Sequence, residues 1–129
     1  MASELYEKGM KVRREVLGDD YVDRALANVD DFTREFQQMV TEHAWGAIWT
    51  RPGLAKKQRS LINLAMLAAL NRPEEFELHF RGALKNGCTL EELKETLLQI
   101  AVYCGMPAGV AAFRIARKVL AEGKSASSA

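Results

Sequence analysis

The chain has 129 residues, which fits one domain burying about two-thirds of its unfolded surface without disulfides or a metal. Hydrophobic residues make up 48% and charged residues 27%, the ordinary composition of a water-soluble protein. The formal net charge of +1 argues against a nucleic-acid partner. No apolar run reaches the ~18 residues of a membrane span, and the first residues lack the apolar segment of a signal peptide. We therefore expect a cytoplasmic protein with no membrane partner.

The first half of the chain reads as helices. Ser3 is a suitable N-cap for a helix that ends near Gly18, and a short segment follows from Asp19 to Ala27. Asp30 or Asp31 then caps a helix that places four apolar side chains on one face, namely Phe32, Phe36, Met39 and Val40. The pattern becomes irregular over residues 44–53, where Pro52 and Gly53 mark a turn.

The most apolar predicted helix spans about residues 55–70. From Leu61 onward it has almost no polar face, and a helix that is apolar all round must be buried on every side. In a chain this small, either a central position or an oligomer interface would bury it.

Three further helices complete the predicted fold. Pro73 opens a helix that ends at Gly87, and Thr89 and Glu92 have the spacing of a capping box for the next helix, which runs to about Tyr103. The last helix runs to about Ala121. We predict an all-α single domain over residues 1–122, followed by a disordered tail over residues 123–129.

Glu75 and His79 are the most plausible acid–base pair. Their four-residue spacing places them on one ridge of a helix, at the edge of an apolar stripe. A carboxylate beside an imidazole orients the ring and favours its protonated form, which suits a general acid. A solvated surface pair is the alternative, because such pairs are common on helices.

Cations and tryptophans flank this pair in the sequence. Arg51, Arg72 and Arg81 suit bidentate carboxylate binding, although each can equally be solvated surface charge. Trp45 and Trp49, four residues apart, can wall an apolar pocket or simply belong to the core or an interface. Lys56, Lys57 and Arg59 add positive charge to the same region.

The two cysteines and two histidines do not form a recognisable metal site. His43, His79, Cys88 and Cys104 lack the close pairing of common zinc motifs, and neither cysteine belongs to a CxxC motif. No base near Cys88 or Cys104 in sequence would stabilise a thiolate. We expect free thiols in a reducing compartment and no bound metal.

Two stretches resemble the carboxymuconolactone decarboxylase family. They are AWGAIWTRPGLAKKQRSLINLAMLAALNRPEEFELHFRGALKNG, residues 44–87, and LQIAVYCGMPAG, residues 98–109. The string W-G-x-x-W-x-R-P-G-L is the most specific part. The resemblance covers about residues 31–120.

The resemblance implies an alkylhydroperoxidase-like helical protomer of about six to seven helices that assembles into a homo-oligomer, a hexamer or alternatively a trimer. It also implies decarboxylation of 4-carboxymuconolactone to the β-ketoadipate (4-oxoadipate) enol-lactone in protocatechuate degradation, with no cofactor. His79 and Glu75 would be the catalytic residues, and the substrate-binding residues would be Arg51, Arg72, Arg81, Trp45 and Trp49.

Related peroxidases carry C-x-x-C-x-x-x-H on the helix that bears the histidine. Alignment on His79 places Arg72 and Glu75 at those cysteine positions and Ser60 at the position of a proton-relay glutamate. Peroxidase chemistry by that redox pair is therefore excluded. The sequence also departs from the decarboxylase pattern, because His43 replaces an aromatic residue and Val110 a polar one. A paralogue acting on a related lactone, a thiol peroxidase using Cys104 or Cys88, and a non-catalytic small-acid-binding oligomer stay open as alternatives.

Overall fold

The computed structural model describes residues 3–128, and their side chains as far as Gly123. This part of the chain is all-α, with no strand. Seven α-helices and a π-helix follow one another as α1 (Glu4–Leu17), α2 (Asp19–Ala27), α3 (Arg34–Met39), the π-helix (Val40–Ile48), α4 (Lys56–Ala69), α5 (Pro73–Lys85), α6 (Leu90–Cys104) and α7 (Met106–Ser128). No helix in the described part is both long and apolar enough to cross a membrane.

Contacts divide the chain into two compact units, one ending at Lys56 and the other beginning at Lys57. In the first unit, α1 packs against the π-helix and against α2. This close packing depends on Gly9 and Gly46, because a Cβ atom at Gly9 would overlap the carbonyl oxygen of Thr41 and one at Gly46 would overlap that of Leu5. Two aliphatic side chains, Val16 of α1 and Val22 of α2, are completely buried.

The second unit has its own hydrophobic core. Phe76 and Phe80 of α5 lie with their ring centroids 6.3 Å apart, and Leu64 of α4 and Leu97 of α6 are buried with them. Helix α7 packs against both α5 and α6. At the N-terminus of α6, the predicted capping box is confirmed, because the Thr89 hydroxyl accepts from Glu92 N and the Glu92 carboxylate accepts from Thr89 N.

Two apolar segments are exposed in this chain. The predicted apolar face of the third helix does not face a core, since Phe32 is 93% exposed and Phe36 and Met39 are also exposed. Nor is α4 a central helix: Leu64 is buried, whereas Ile62 and Met66 are exposed on its opposite face. The central-helix explanation of this apolar segment is therefore wrong, and an interface is the explanation that stays.

The structure confirms the predicted caps of α1 and extends the last helix beyond its predicted end. Ser3 caps α1 by accepting a hydrogen bond from Tyr6 N, and Gly18 ends that helix with a φ of 91°, as the sequence predicts. The backbone of α7 continues to Ser128, past the predicted end at Ala121. The predicted tail over residues 123–129 lies mostly outside the described side chains, so the single domain over residues 1–122 and the tail stay predictions.

Candidate functional site

Helix α5 carries the predicted acid–base pair. Pro73 stands in its first turn, where the absence of an N–H costs no helical hydrogen bond. Phe76, Phe80 and Ala83 form the buried face of the helix, and His79 lies beside them, partly buried. Its Nδ1 atom is fully removed from solvent. Glu75, one turn earlier, is exposed, so the pair spans the boundary between the core and the surface.

Burial, more than Glu75, sets the protonation of His79. Removal from water penalises the charged imidazolium and lowers its pKa from the ordinary 6.5, while the negative charge of Glu75 raises the pKa by a smaller amount. The sequence analysis correctly predicted the direction of the Glu75 effect. Desolvation is the larger of the two effects, so the net shift of the His79 pKa is downward and the neutral ring is favoured.

Arg72, the residue before α5, lines a cavity of about 370 Å³ within the second unit. The walls are mostly alanine and other apolar side chains from α4, α5 and α7, with Phe76 and Ile115 among them. Asn71 and Cys104 supply further polar atoms. Arg72 is exposed and its Nη1 lies 3.4 Å from the carbonyl oxygen of Leu70. A guanidinium at the edge of an apolar cavity is suited to a small carboxylate with a hydrophobic body.

Arg81 is held by carboxylates of its own unit. Its Nη2 lies 2.8 Å from Glu77 and 2.9 Å from Glu122, and its Nε also donates to Glu122. These acids raise the pKa of Arg81, although burial opposes them as the largest single influence. Lys118 pairs with Glu77 at 3.0 Å. A substrate carboxylate would have to compete with two acids already bound to this guanidinium.

The first unit carries the remaining predicted residues. In the π-helix, Trp49 N donates to the carbonyl of Ala44, five residues earlier, at 3.1 Å. The wider turn stacks Trp45 on Trp49, with ring centroids 5.0 Å apart and an interplanar angle of 26°. Both indoles are buried. Arg51 follows the π-helix and is exposed, as is His43 on the π-helix itself.

The cysteines differ in environment. Cys88 is buried and its Sγ lies 3.5 Å from the carbonyl of Lys57, and burial raises the pKa of its thiol, which disfavours the thiolate that a peroxidase requires. Cys104 is exposed at the end of α6. Ser60, at the position of the peroxidase relay acid, is completely buried and accepts a 2.8 Å hydrogen bond from Asn86. Ser60 thus ties the end of α5 to α4.

The sequence analysis missed one charged residue of the first unit. Arg13 of α1 is only 5% exposed, and its Nη1 donates to the neutral side chains of Gln37 and Thr41. The available signal was its position: with Gly9 and Val16 it occupies the buried face of α1, where an apolar residue is expected.

Metal ligands do not cluster in the part of the chain that the structure describes. There, no group of three or more histidine, cysteine, aspartate or glutamate side chains is arranged to hold a metal ion.

The fold and these residues define an all-α protein with a partly buried histidine on a core helix. Residues 34–118 match the carboxymuconolactone decarboxylase family, and the chain belongs to that family. It is 45% identical to a 4-carboxymuconolactone decarboxylase of Acinetobacter baylyi over 114 residues, 88% of this chain and 85% of the relative. It is 46% identical to the nitrosuccinic acid decarboxylase npaB of Metarhizium robertsii over 116 residues, 90% of this chain and 81% of the relative.

A third relative is similar to this chain over a shorter stretch. A 4-carboxymuconolactone decarboxylase of Pseudomonas putida is 58% identical over 41 residues, 32% of this chain and 85% of the relative. The predicted family is thereby confirmed, and the chain is an enzyme of the carboxy-lyase class.

Proposed function

We propose that the chain decarboxylates 4-carboxymuconolactone to the β-ketoadipate enol-lactone in protocatechuate degradation, without an organic cofactor. The observation that carries this proposal is the 45% identity to a decarboxylase of that name over most of both chains. His79 supports it as a partly buried, mostly neutral imidazole on the core helix α5.

The substrate itself supplies the electron sink that decarboxylation requires, so no cofactor is needed for this role. The breaking C–C bond is conjugated with an unsaturated lactone, so its electrons can move to the lactone carbonyl as carbon dioxide leaves. The intermediate is a dienolate, which takes up a proton from water at carbon to give the enol-lactone. The enzyme has to hold the carboxylates and stabilise the developing oxyanion.

We assign His79 to the oxyanion and Glu75 to orienting and polarising that imidazole. A neutral imidazole keeps one N–H, which donates a hydrogen bond to an oxyanion, whereas it is a weaker acid toward carbon than an imidazolium. The lowered pKa thus favours oxyanion stabilisation over the general-acid role that the sequence pattern suggests for this residue.

The cations and tryptophans keep their proposed roles in substrate binding. Arg72 is proposed to hold the carboxylate that the product retains, which the apolar cavity beside it supports. Arg51, exposed in the first unit, stays a proposed substrate-binding residue. Arg81 is the weaker candidate because Glu77 and Glu122 occupy its guanidinium. Trp45 and Trp49 stay proposed substrate-binding residues, and their stacked, buried indoles in the first unit are the kind of poorly solvated surface that favours loss of a carboxylate's charge.

A second candidate function is decarboxylation of nitrosuccinic acid, which the 46% identical relative favours. In that compound a nitro group and a carboxyl group share one carbon, so the electrons released can move to the nitro group. Both compounds carry two carboxylates and their own electron sink. The same residues therefore suit either substrate, and sequence identity alone does not separate them.

The test compares both substrates with the purified protein. Loss of the lactone is followed in the ultraviolet on enzymatically generated 4-carboxymuconolactone, with carbon dioxide release measured in parallel, and nitrosuccinate is assayed in the same way. Turnover of the lactone supports the first function, and turnover of nitrosuccinate alone supports the second. Saturable binding without carbon dioxide release would contradict both.

We also propose that the chain works as a homo-oligomer, with a hexamer as the expected state and a trimer as the alternative. The support is an exposed apolar surface within the second unit. It comprises Ile62 and Met66 on α4, Leu70 just after it, and Leu98, Val102, Tyr103, Met106 and Val110 on α6 and α7. Exposed apolar side chains in such number are typical of a surface covered by a partner.

A further inference from the structure

Helix α3 and the turn before it present an exposed apolar face to solvent. Phe32, Phe36 and Met39 stand at positions i, i+4 and i+7 of this segment, and all three side chains are exposed. Backbone hydrogen bonds of α-helical spacing extend back to residue 30, so the three side chains share one side of a helical segment. This spacing is typical of a helix that lies in a groove of another protein surface. We call these three residues the α3 face.

Carboxylates border the α3 face. Glu35 lies four residues before Met39 on the same ridge of α3, is exposed, and makes no ion pair with any side chain that the structure describes. Asp31, one turn earlier, is also exposed and lies 2.7 Å from Arg34. An apolar face with acids along its border is complementary to an apolar surface with cations along its border.

An open groove of about 700 Å³ lies between α6 and α7 of the second unit, and we call it the α6–α7 groove. Helix α7 contributes Met106 and Val110 to its walls and α6 contributes Leu98, and all three belong to the exposed apolar surface described above. The two helices approach closely at Gly109, where a Cβ atom would overlap the Cβ of Ala101. Because Gly109 and Ala101 are small, they leave space between the larger side chains for an apolar partner.

Two arginines border the α6–α7 groove. Arg114 and Arg117 follow Val110 on the same face of α7, at i+4 and i+7, and both are exposed. Neither makes an ion pair within the described part of the chain. The next residue, Lys118, differs in this respect because it pairs with Glu77 at 3.0 Å. The groove therefore combines apolar walls with two positive charges that no described acid compensates.

We propose that the α6–α7 groove of one copy binds the α3 face of a second copy, with Arg114 and Arg117 facing Asp31 and Glu35. The inference rests on the proposed homo-oligomer and deepens it by naming the two surfaces that meet. Removal of both apolar faces from water stabilises the contact, and the opposite charges fix its orientation. A two-fold axis repeats this contact twice between two copies and a three-fold axis closes it into a ring, so it suits the hexamer and the trimer alike.

Charge reversal tests the two surfaces separately in the full-length protein. The α3 variant carries Asp31→Lys and Glu35→Lys, and the groove variant carries Arg114→Glu and Arg117→Glu. Each variant places like charges together, so we expect the dissociation constant of the oligomer to rise on the order of 10-fold or more, measured by analytical ultracentrifugation. Lys85→Glu, a reversal at an exposed position of α5 outside the groove, is the matched control and should assemble as the wild type does. Circular dichroism checks that each variant folds.

A mixture of the two variants distinguishes a contact between copies from a contact within one copy. In the mixture, the reversed α3 face of one variant matches the reversed groove of the other, and their unchanged surfaces also match. We expect an affinity-tagged α3 variant to retain the untagged groove variant more strongly than it retains an untagged copy of itself. Assembly restored only when both reversals are on one chain would place the contact within a single copy and overturn the proposal.

Phe32→Ala supplies a readout that does not depend on charge. Phe32 is 93% exposed in the single chain, so its truncation should change the free energy of unfolding of separated copies little. In the proposed contact the truncation removes an aromatic anchor and should raise the dissociation constant on the order of 10-fold or more.

The outcomes separate this inference from the proposals on which it rests. An oligomeric wild type whose dissociation is unchanged by the charge reversals and by Phe32→Ala would overturn this inference and leave the homo-oligomer standing. A wild type that is monomeric at every concentration would contradict both. Carbon dioxide release is measured independently, so a protein that assembles through this contact without decarboxylating either substrate would contradict the proposed reaction alone.

Discussion

Glu75 and His79 lie one turn apart on α5, and two opposing effects set the pKa of the imidazole: burial lowers it, and the exposed Glu75 carboxylate raises it by a smaller amount. We expect Glu75→Gln to lower the His79 pKa, because the substitution removes a negative charge that stabilises the imidazolium while burial is unchanged. An NMR pH titration of the imidazole Cε1–H signal measures the change. The neighbouring variant Glu74→Gln is the control and should leave the His79 titration in place. A His79 pKa that is unchanged or raised in Glu75→Gln would contradict this electrostatic assignment.

The lowered pKa of His79 also predicts how stability depends on pH. The unfolded chain takes up a proton near pH 6.5 and the folded chain only at lower pH, so the free energy of unfolding falls as pH decreases through 6.5 toward the folded pKa. Above that range the contribution is complete. Urea unfolding between pH 7.5 and 5 should therefore show a loss of stability that is smaller in His79→Gln. If the free energy of unfolding depends on pH in the same way in the two proteins, folding does not lower the pKa of His79, and this prediction is contradicted.

Oxyanion stabilisation by His79 predicts an order among variants. His79→Ala removes the hydrogen-bond donor and should reduce kcat by ~10²–10³-fold, while His79→Gln retains an N–H and should keep more activity than the alanine variant. Steady-state assays on the lactone or on nitrosuccinate measure both. Folding is checked by circular dichroism. Equal, severe losses in the two variants would indicate proton transfer by the ring, and wild-type turnover in His79→Ala would exclude a catalytic role.

The exposed apolar surface of the second unit predicts the effect of a new charge. Val102 on α6 is 70% exposed, and a carboxylate at this position would be buried if another copy covers it. Val102→Glu should therefore lower the molar mass measured by light scattering on a size-exclusion column. Glu74→Lys, a charge change at an exposed position of α5 outside this surface, is the control and should assemble normally. An unchanged mass for Val102→Glu would place the subunit contacts elsewhere.

The local sequence predicted most helix boundaries because the signals there are local. Caps at Ser3 and Thr89, Pro73 at the start of α5 and Gly18 at the end of α1 act within one or two turns, and all four function as predicted. The spacing of its apolar residues likewise predicted α5, the helix that carries His79.

The features that the local sequence did not predict depend on contacts between distant segments. The sequence predicts an irregular segment from residue 44, which covers the second half of the π-helix, because nothing in the local sequence distinguishes a hydrogen bond to the fifth residue back from a loop. The sign of the His79 pKa shift depends on how much of the ring is buried, which the spacing to Glu75 does not show. Arg13 was overlooked because arginines are mostly exposed, and only the fold shows that this one lies in the interior.

Because α1 and the π-helix approach closely at Gly9, we predict that alanine at this position destabilises the protein, although alanine favours a helix more than glycine does. Alanine favours a helix interior over glycine by about 1 kcal/mol, so Gly9→Ala would stabilise an isolated α1. In the protein, the added Cβ would overlap the Thr41 carbonyl oxygen, a backbone atom that cannot rotate away. We expect a net destabilisation of roughly 1–3 kcal/mol by urea unfolding. Gly53→Ala is the matched control, because a Cβ there meets open space and should change stability little. A Gly9→Ala protein more stable than the wild type would mean that α1 and the π-helix are not held this close.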